Sequence, residues 1–341
     1  MSDAILCVVP EKADYLSATL FHGLRSLLGC RVVDWPRYDC AYSDYDLETR
    51  YKVYGRGFSV FFDLPEICCD RSDVFQKIKK GDFKFIVFCD IANQSELFSE
   101  WQKYLTPKNT VLVDGQDGAQ VVPHAGRYWR DIGSWRKLTQ TRKYLYFKRE
   151  WTFDSQFNFW HRLLPKRFRK SLSLCKNLRR ISFSIPESKI VSYIPEKTKD
   201  FPAHIVDAEV AEIVSGSSVS YAFSSEGEYY RDLQTCRFGI TTKRGGWDCL
   251  RHYEIAANGA VPCFRLLREK PTNCAPHGLI HGKNCIDYSS GTDLLTQIKS
   301  LEDLDYKKLQ VGAINWARNN STLIRANEFL DALNSEGLSL R

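Results

Sequence analysis

Nothing in this sequence is apolar over a length that crosses a bilayer, so no membrane-spanning helix is expected. The first residues, MSDAILCVVPEK, lack the basic start and long apolar stretch of a secretory signal; they read instead as a first buried strand. There is no C-x-x-C pair, which removes the usual nucleus of a structural zinc site. Neither a Walker pattern nor G-x-G-x-x-G occurs, which counts against P-loop NTP hydrolysis and against dinucleotide binding. No internal repeat and no low-complexity tract is visible. Without an export signal, the twelve cysteines are expected as reduced thiols in a cytoplasmic protein. Cys7, Cys89 and Cys263 sit in apolar runs, where cysteine serves as a small hydrophobe. The even spacing of Cys263, Cys274 and Cys285 is no metal-ligand pattern, and no metal is expected.

What is present is enough for two cores. A chain of 341 residues with 43% hydrophobic and 13% aromatic residues predicts two domains of ordinary size. The net charge of +7 is mild and suits an anionic ligand or an anionic membrane surface. In the first half, residues 4–9, 31–34, 84–89, 110–113 and 143–147 read as strands, and residues 14–28, 70–80 and 94–104 as helices that stop at Gly29, at Gly81 and before Pro107. This alternation implies a mostly parallel sheet covered by helices. The second half repeats it, with strands at 180–185, 204–206, 237–241, 261–264 and 285–288 and helices at 227–235, 247–258, 293–300, 304–319 and 321–333. Residues 162–180 between them carry eight Lys and Arg and no acid. They read as a solvated basic linker or as a surface for anionic lipid headgroups. The expected organisation is a Rossmann-like domain over 1–160, a linker over 161–180, a second Rossmann-like domain over 181–320 and a helical tail over 321–341.

The most informative stretch is residues 236–264, CRFGITTKRGGWDCLRHYEIAANGAVPCF, which reads as strand, loop, helix, turn, strand. A helix start presents unpaired backbone N–H groups and the positive end of its dipole. Gly245 and Gly246 allow close approach to the backbone ahead of a helix expected to begin near Trp247 and Asp248, and Lys243 and Arg244 add positive charge. Together they suit a diphosphate. Arg251 supplies a bidentate donor to phosphate oxygens, and Glu254 a carboxylate able to accept from two ribose hydroxyls. A plain helix–sheet crossover with a tight glycine turn would leave the same pattern.

The segment RGGWDCLRHYEIAANGAVPCF resembles the donor-binding segment of GT-B glycosyltransferases, in particular bacterial family-1-like proteins and the exostosin-type C-terminal domain. The glycine loop, the CLRHYE helix and the Gly-x-x-Pro turn fall in step with that pattern; VDGQDG and YFKRE are weaker matches. The resemblance implies an α/β, GT-B-like fold: two Rossmann-like domains facing a central cleft, the first binding the acceptor and the second a nucleoside diphosphate sugar, UDP- or GDP-linked. It implies that Glu254 holds the ribose and that Gly245, Gly246 and Arg251 meet the diphosphate, with no metal or other cofactor. Many retaining members carry two glutamates eight apart here, whereas Gly246 and Pro262 stand at those distances from Glu254. That departure favours inversion.

An inverting transfer needs a base for the acceptor hydroxyl. VDGQDG, after the strand at 110–113, offers Asp117 as the expected base and Asp114 as a structural or acceptor-orienting partner, with His124 nearby. A turn in which both aspartates cap backbone N–H groups is the alternative. In YFKRE, Lys148 and Arg149 could reach the diphosphate or an anionic acceptor, or form a surface ion-pair cluster with Glu150. His277, in PHGLIHGKN, is a further candidate contact to the nucleotide sugar. Residues 35–46 offer aromatics for sugar stacking and Asp44-Tyr45-Asp46, a lone D-x-D triplet. The expected partners are a nucleotide sugar donor, a glycan or lipid-linked acceptor of surface-polysaccharide or lipopolysaccharide type, and an anionic membrane at the inner face. The competing readings are a nucleic-acid-binding module using 162–180, which lacks any stacking pattern, and a catalytically silent nucleotide-sugar-binding subunit.

Overall fold

The computed structural model describes residues 3–45, 47–121, 143–157, 162–171 and 176–338. By its internal contacts the chain divides into two compact units: Met1–Ser182 with Pro271–Ala275 and Arg325–Arg341, and Phe183–Lys270 with Pro276–Ile324. The sequence places one division near residue 180 and treats 321–341 as a separate tail; here the residues from Arg325 onward group with the first unit. No helix among the described residues is long and apolar enough to cross a membrane.

The first unit is built on a six-stranded sheet in the order β2-β1-β3-β4-β5-β6, every pair parallel. The strands are β1 (Ile5–Val8), β2 (Val32–Trp35), β3 (Phe85–Phe88), β4 (Thr110–Asp114), β5 (Leu145–Lys148) and β6 (Leu178–Arg180). β1, β3, β4 and β5 are buried along their whole length, as strands covered on both faces must be. α1 (Tyr15–Leu28) starts at Asp14, whose carboxylate accepts from Ser17 N at 2.7 Å, and ends at Gly29 with φ 58°. α2 (Val74–Lys80) begins four residues later than the pattern suggests. The Asp70 carboxylate turns back to Ser72 N at 2.9 Å and Asp73 takes a left-handed conformation, so the chain cannot enter a helix before Val74. α3 (Ser95–Trp101) completes the cover, with Phe98 and Trp101 packed on Phe88.

One expected strand belongs elsewhere. Residues 180–185 do not open the second sheet; the ladder ends at Arg180, and β6 is the sixth strand of the first. Part of the basic tract is therefore sheet rather than linker. Its Pro165 precedes a short helix, α4 (Lys166–Ser171).

The second unit holds a three-stranded parallel sheet, β7 (Phe238–Thr241), β8 (Val261–Arg265) and β9 (Ile286–Tyr288). The strand expected at 204–206 is only an isolated bridge between His204 and Ser218. Around the sheet lie α5 (Ala208–Ile213), α6 (Glu226–Thr235), α7 (Leu250–Ala257), α8 (Gly291–Lys299) and α9 (Asp303–Arg318). α6 opens with a full capping box between Ser225 and Glu228. The core joins Phe238, Ile240, Val261, Cys263, Ile286 and Leu294. A last helix, α10 (Thr322–Ser335), carries Phe329, which packs on Phe147 of β5 at 4.6 Å within the first unit.

Candidate functional site

In the second unit, β7 leads through residues 242–249 into α7. The helix starts at Leu250, not at Trp247 as its sequence suggests. Cys249 is extended, with φ −148° and ψ 137°, and the Asp248 carboxylate accepts from Phe183 N at 2.8 Å and from Tyr253 Oη at 3.0 Å. Asp248 is buried, and these two bonds hold the loop. Cys249 makes no side-chain capping bond, and its carbonyl accepts from His252 N at 3.1 Å. Gly259, at φ 72°, ends the helix as expected.

Two residues fix the loop and helix against each other. His252 is fully buried, with Nδ1 2.8 Å from Thr241 Oγ1 and Nε2 2.9 Å from the Trp247 carbonyl. A carbonyl only accepts, so Nε2 carries the hydrogen, and the ring braces both ends of the loop. Gly239 makes the close approach of helix and strand possible: a Cβ there would lie 2.6 Å from the Ile255 side chain. Lys243 stands over the Trp247 ring at 5.0 Å.

Glu254 lies one turn into α7, 8% exposed, and accepts from Tyr229 Oη of α6 at 2.8 Å. Burial first, and then the Glu254 carboxylate, push the Tyr229 phenol well above its ordinary range, so it stays a donor. Arg251 sits beside both. Burial works against its charge, but Tyr229, Cys249 and Glu254 outweigh that and hold it protonated. Arg251 and Arg244 also face His204, whose pKa is pushed down by burial and then by Arg251, with a smaller effect of Arg244. His204 meets Tyr221 edge-on at 5.1 Å, and Tyr221, Phe223, Tyr229 and Tyr230 form one aromatic cluster.

The structure therefore gathers Arg244, Arg251 and Glu254, and adds three residues that sequence reasoning missed: His204, Tyr221 and Tyr229. The signal for the two tyrosines was composition, since SYAFSSEGEYY is dense in aromatics with no spacing to explain it, and nothing in the sequence marks His204. Gly245 is exposed and Gly246 buried, with Arg244 N bonded to the Gly246 carbonyl at 3.0 Å. The described contact of His277 ties its carbonyl to Trp316 Nε1 at 2.7 Å.

In the first unit the candidates form a separate network. Asp114 and Lys148 are both fully buried, 2.9 Å apart. Asp114 also accepts from Tyr146 Oη at 2.6 Å and Gln116 N at 2.9 Å, and Lys148 donates to the Gln116 carbonyl at 3.2 Å. These two hold the ends of β4 and β5 together, in line with the structural alternative for Asp114 and the ion-pair alternative for Lys148, and both side chains are closed to solvent. Arg149 is buried against the Gly115 carbonyl at 2.9 Å and pairs with Asp117, whose side chain is 57% exposed. His124 lies outside the described residues. In the 35–46 segment the aromatics serve the core: Tyr38 and Tyr42 are buried, and Tyr45 stacks on Phe62 at 5.6 Å. Asp44 pairs with Arg37, and Asp46 lies outside the described residues.

No family model matches the sequence, and no curated protein matches it. Among solved structures, Anabaena Alr3699/HepE in complex with UDP and glucose is similar over 97% of this chain and 99% of its own, with a TM-score of 0.54 and 10% identity. Its UDP-glucose complex gives 0.53 and 8% over the same shares. An α-glucosyltransferase in complex with UDP and a 13-mer DNA containing an HMU base gives 0.50 and 12%, over 98% of this chain and 99% of that one. At such identities the likeness establishes the fold alone: the chain has the GT-B-like α/β fold of these glycosyltransferases, with parallel sheets in both units.

Proposed function

We propose that this chain is a glycosyltransferase that takes a sugar from a nucleoside diphosphate sugar and passes it to a hydroxyl of a glycan or glycoconjugate. One observation carries the reading. Glu254, a nearly buried carboxylate held by the Tyr229 hydroxyl, sits one turn into a helix that starts without a side-chain capping bond from Cys249 and carries Arg251 in its first turn. The carboxylate suits two ribose hydroxyls. The N–H groups, Arg251, Arg244 and Lys243 suit a diphosphate, and they stabilise its charge as it departs. The similar structures carry UDP or UDP-glucose, which makes UDP the first nucleotide to try. The cations present supply the charge compensation without a metal. The lack of a second glutamate at Gly246 or Pro262 supports inversion.

The acceptor is lipid-linked or lies at a membrane. Leu163 and Phe168 are 65% and 50% exposed among Arg162, Lys166 and Arg167. Apolar side chains set between cations suit an anionic bilayer surface better than a nucleic acid. The α-glucosyltransferase above was crystallised with DNA, so a duplex belongs in the same assay.

Thermal unfolding with UDP and GDP, in the presence of EDTA, tests the core of the proposal. At about a hundred times Kd, binding adds roughly 2.7 kcal/mol, a shift of several degrees. Glu254→Ala should abolish it. No shift with either nucleotide refutes the reading. Sedimentation with phosphatidylserine vesicles, and its loss in Leu163→Asp/Phe168→Asp, tests the membrane contact.

A further inference from the structure

Around β9 and α8 the second unit carries a cavity of about 520 Å³, lined by Arg268, His281, Asp287, Ser289, Asp293 and Gln297. That volume falls in the usual range of small-molecule sites, about 300–1,000 Å³, but such sites are lined mainly by apolar side chains. No apolar side chain lines this one, so its ligand is hydrophilic on every side.

Three of these side chains are fixed by a bond at one atom and keep another atom open. Residues 266–269 curl back on β9: Leu267 N donates to Asp287 Oδ1 at 2.9 Å, and Arg268 Nε to Asp287 Oδ2 at 2.8 Å. This orients the guanidinium, whose two Nη groups have no hydrogen-bond partner among the described residues. Asp287 N donates to His281 Nδ1 at 3.0 Å, so the ring hydrogen sits on Nε2, and His281 is exposed. The buried Asn284 holds that turn, accepting from Ile280 N at 2.7 Å and donating to the Gly278 carbonyl at 2.9 Å. Gln297 Nε2 donates to the Asp287 carbonyl at 3.1 Å and to Asp293 Oδ1 at 3.0 Å, which leaves its Oε1 as an open acceptor. Asp293 Oδ2 accepts from Ser289 N and Ser289 Oγ, both at 2.8 Å.

The charges select among hydrophilic ligands. Arg268 faces two carboxylates, Asp287 and Asp293. The Ser289 N–H first, then Gln297 and Ser289 Oγ, hold the Asp293 carboxyl below its ordinary range, with a smaller effect of Arg268. A phosphate would meet both acids, and a metal or ammonium ion would meet the guanidinium. A sugar hydroxyl donates and accepts at once and matches the whole lining. We propose that this cavity is a saccharide-binding site, in which Arg268 and His281 donate to sugar oxygens and Gln297 and Asp293 accept from sugar hydroxyls. It shares no residue with the Glu254 site, goes beyond the transferase reading and stands whether or not a nucleotide binds there.

Saturation-transfer NMR on the full chain tests it, with a panel of neutral hexoses, N-acetylhexosamines and their disaccharides, in the absence and presence of UDP. At least one sugar should bind wild type under both conditions. Arg268→Ala should weaken it roughly tenfold and His281→Ala about fivefold, and the double variant should lose the signal. Both side chains are open to solvent and Asp287 keeps its bond from Leu267, so the variants should melt like wild type. Glu254→Ala should keep the sugar. Failure of every sugar to bind wild type overturns the inference, and so does a sugar still bound by a double variant that melts like wild type. If the double variant melts lower, Arg268→Lys decides, since it keeps the charge and loses the planar fork; unchanged sugar binding in it overturns the inference. A sugar displaced by UDP, or lost in Glu254→Ala, sits in the nucleotide site and also overturns it. Inorganic phosphate or calcium bound through Arg268 and His281 with no sugar bound assigns the cavity to an ion instead. UDP binding is read separately, so failure of the proposed function leaves this result untouched, and the reverse.

Discussion

Tyr229→Phe removes one oxygen and tests whether the Glu254 carboxylate is held ready for a ligand. The phenol donates at 2.8 Å to Oε2 of a carboxylate that is 8% exposed. Hydrogen bonds to charged groups contribute about 1.5–3 kcal/mol to stability. Arg251 stays nearby and Glu254 keeps its edge of exposure, which puts the expected loss in the lower half, about 1.5–2 kcal/mol. That corresponds to roughly 3–8 °C in the melting of a unit of this size. The functional effect is separate. Without the tyrosine, Glu254 samples other rotamers, and fixing one of them on binding costs about 1 kcal/mol, so UDP affinity should fall about fivefold. Calorimetric titration with UDP measures the affinity, and urea unfolding the stability. If Tyr229→Phe binds UDP as wild type does while Glu254→Ala binds none, the tyrosine does not position the carboxylate and the reasoning is refuted.

Asp114→Ala strands the fully buried Lys148 ammonium and should cost about 3–5 kcal/mol by urea unfolding, whereas Asp117→Asn, at an exposed carboxylate, should cost less than about 1 kcal/mol. Gly239→Ala drives a methyl to 2.6 Å from Ile255 and should destabilise by about 1–3 kcal/mol, with UDP affinity falling as α7 is pushed from β7. Burial raises Asp90 from 3.8 to about 6 in the folded state, so between those values the native protein binds the extra proton, and stability falls as pH rises from about 4 through about 6. Asp90→Asn should remove that fall, of order 3 kcal/mol, and melt higher than wild type at pH 8; equal melting temperatures at pH 8 would contradict the assigned burial.

The strands of the first sheet were legible because fully buried parallel strands are continuous apolar runs, and ILCV, FIVF and TVLV cannot be read otherwise. Helix starts were less so. At Asp70 and at Trp247 the hydrophobic period runs on past the true boundary, and what moves the boundary is a side-chain bond: Asp70 to Ser72, Asp248 to Phe183 and Tyr253. A short polar side chain can serve a helix or a loop, and only the rest of the fold decides which. Leu178–Arg180 was misread for a related reason. Three residues among so many cations carry no alternation, and their membership in the first sheet is set by pairing with Tyr146–Lys148, thirty-odd residues away.

The candidate site divides along the same line. Arg251 and Glu254 were readable because they share one helix, where a fixed spacing becomes a fixed geometry. Tyr229, Tyr221 and His204 reach that helix from other elements, and no spacing encodes such a meeting. Charge misled in a characteristic way. Lys148 and Asp114 look like functional groups at strand ends, yet in parallel neighbours of matched register, Asp114 opposite Lys148, two opposite charges find each other before any ligand does. At these strand ends the charges that pair are structural.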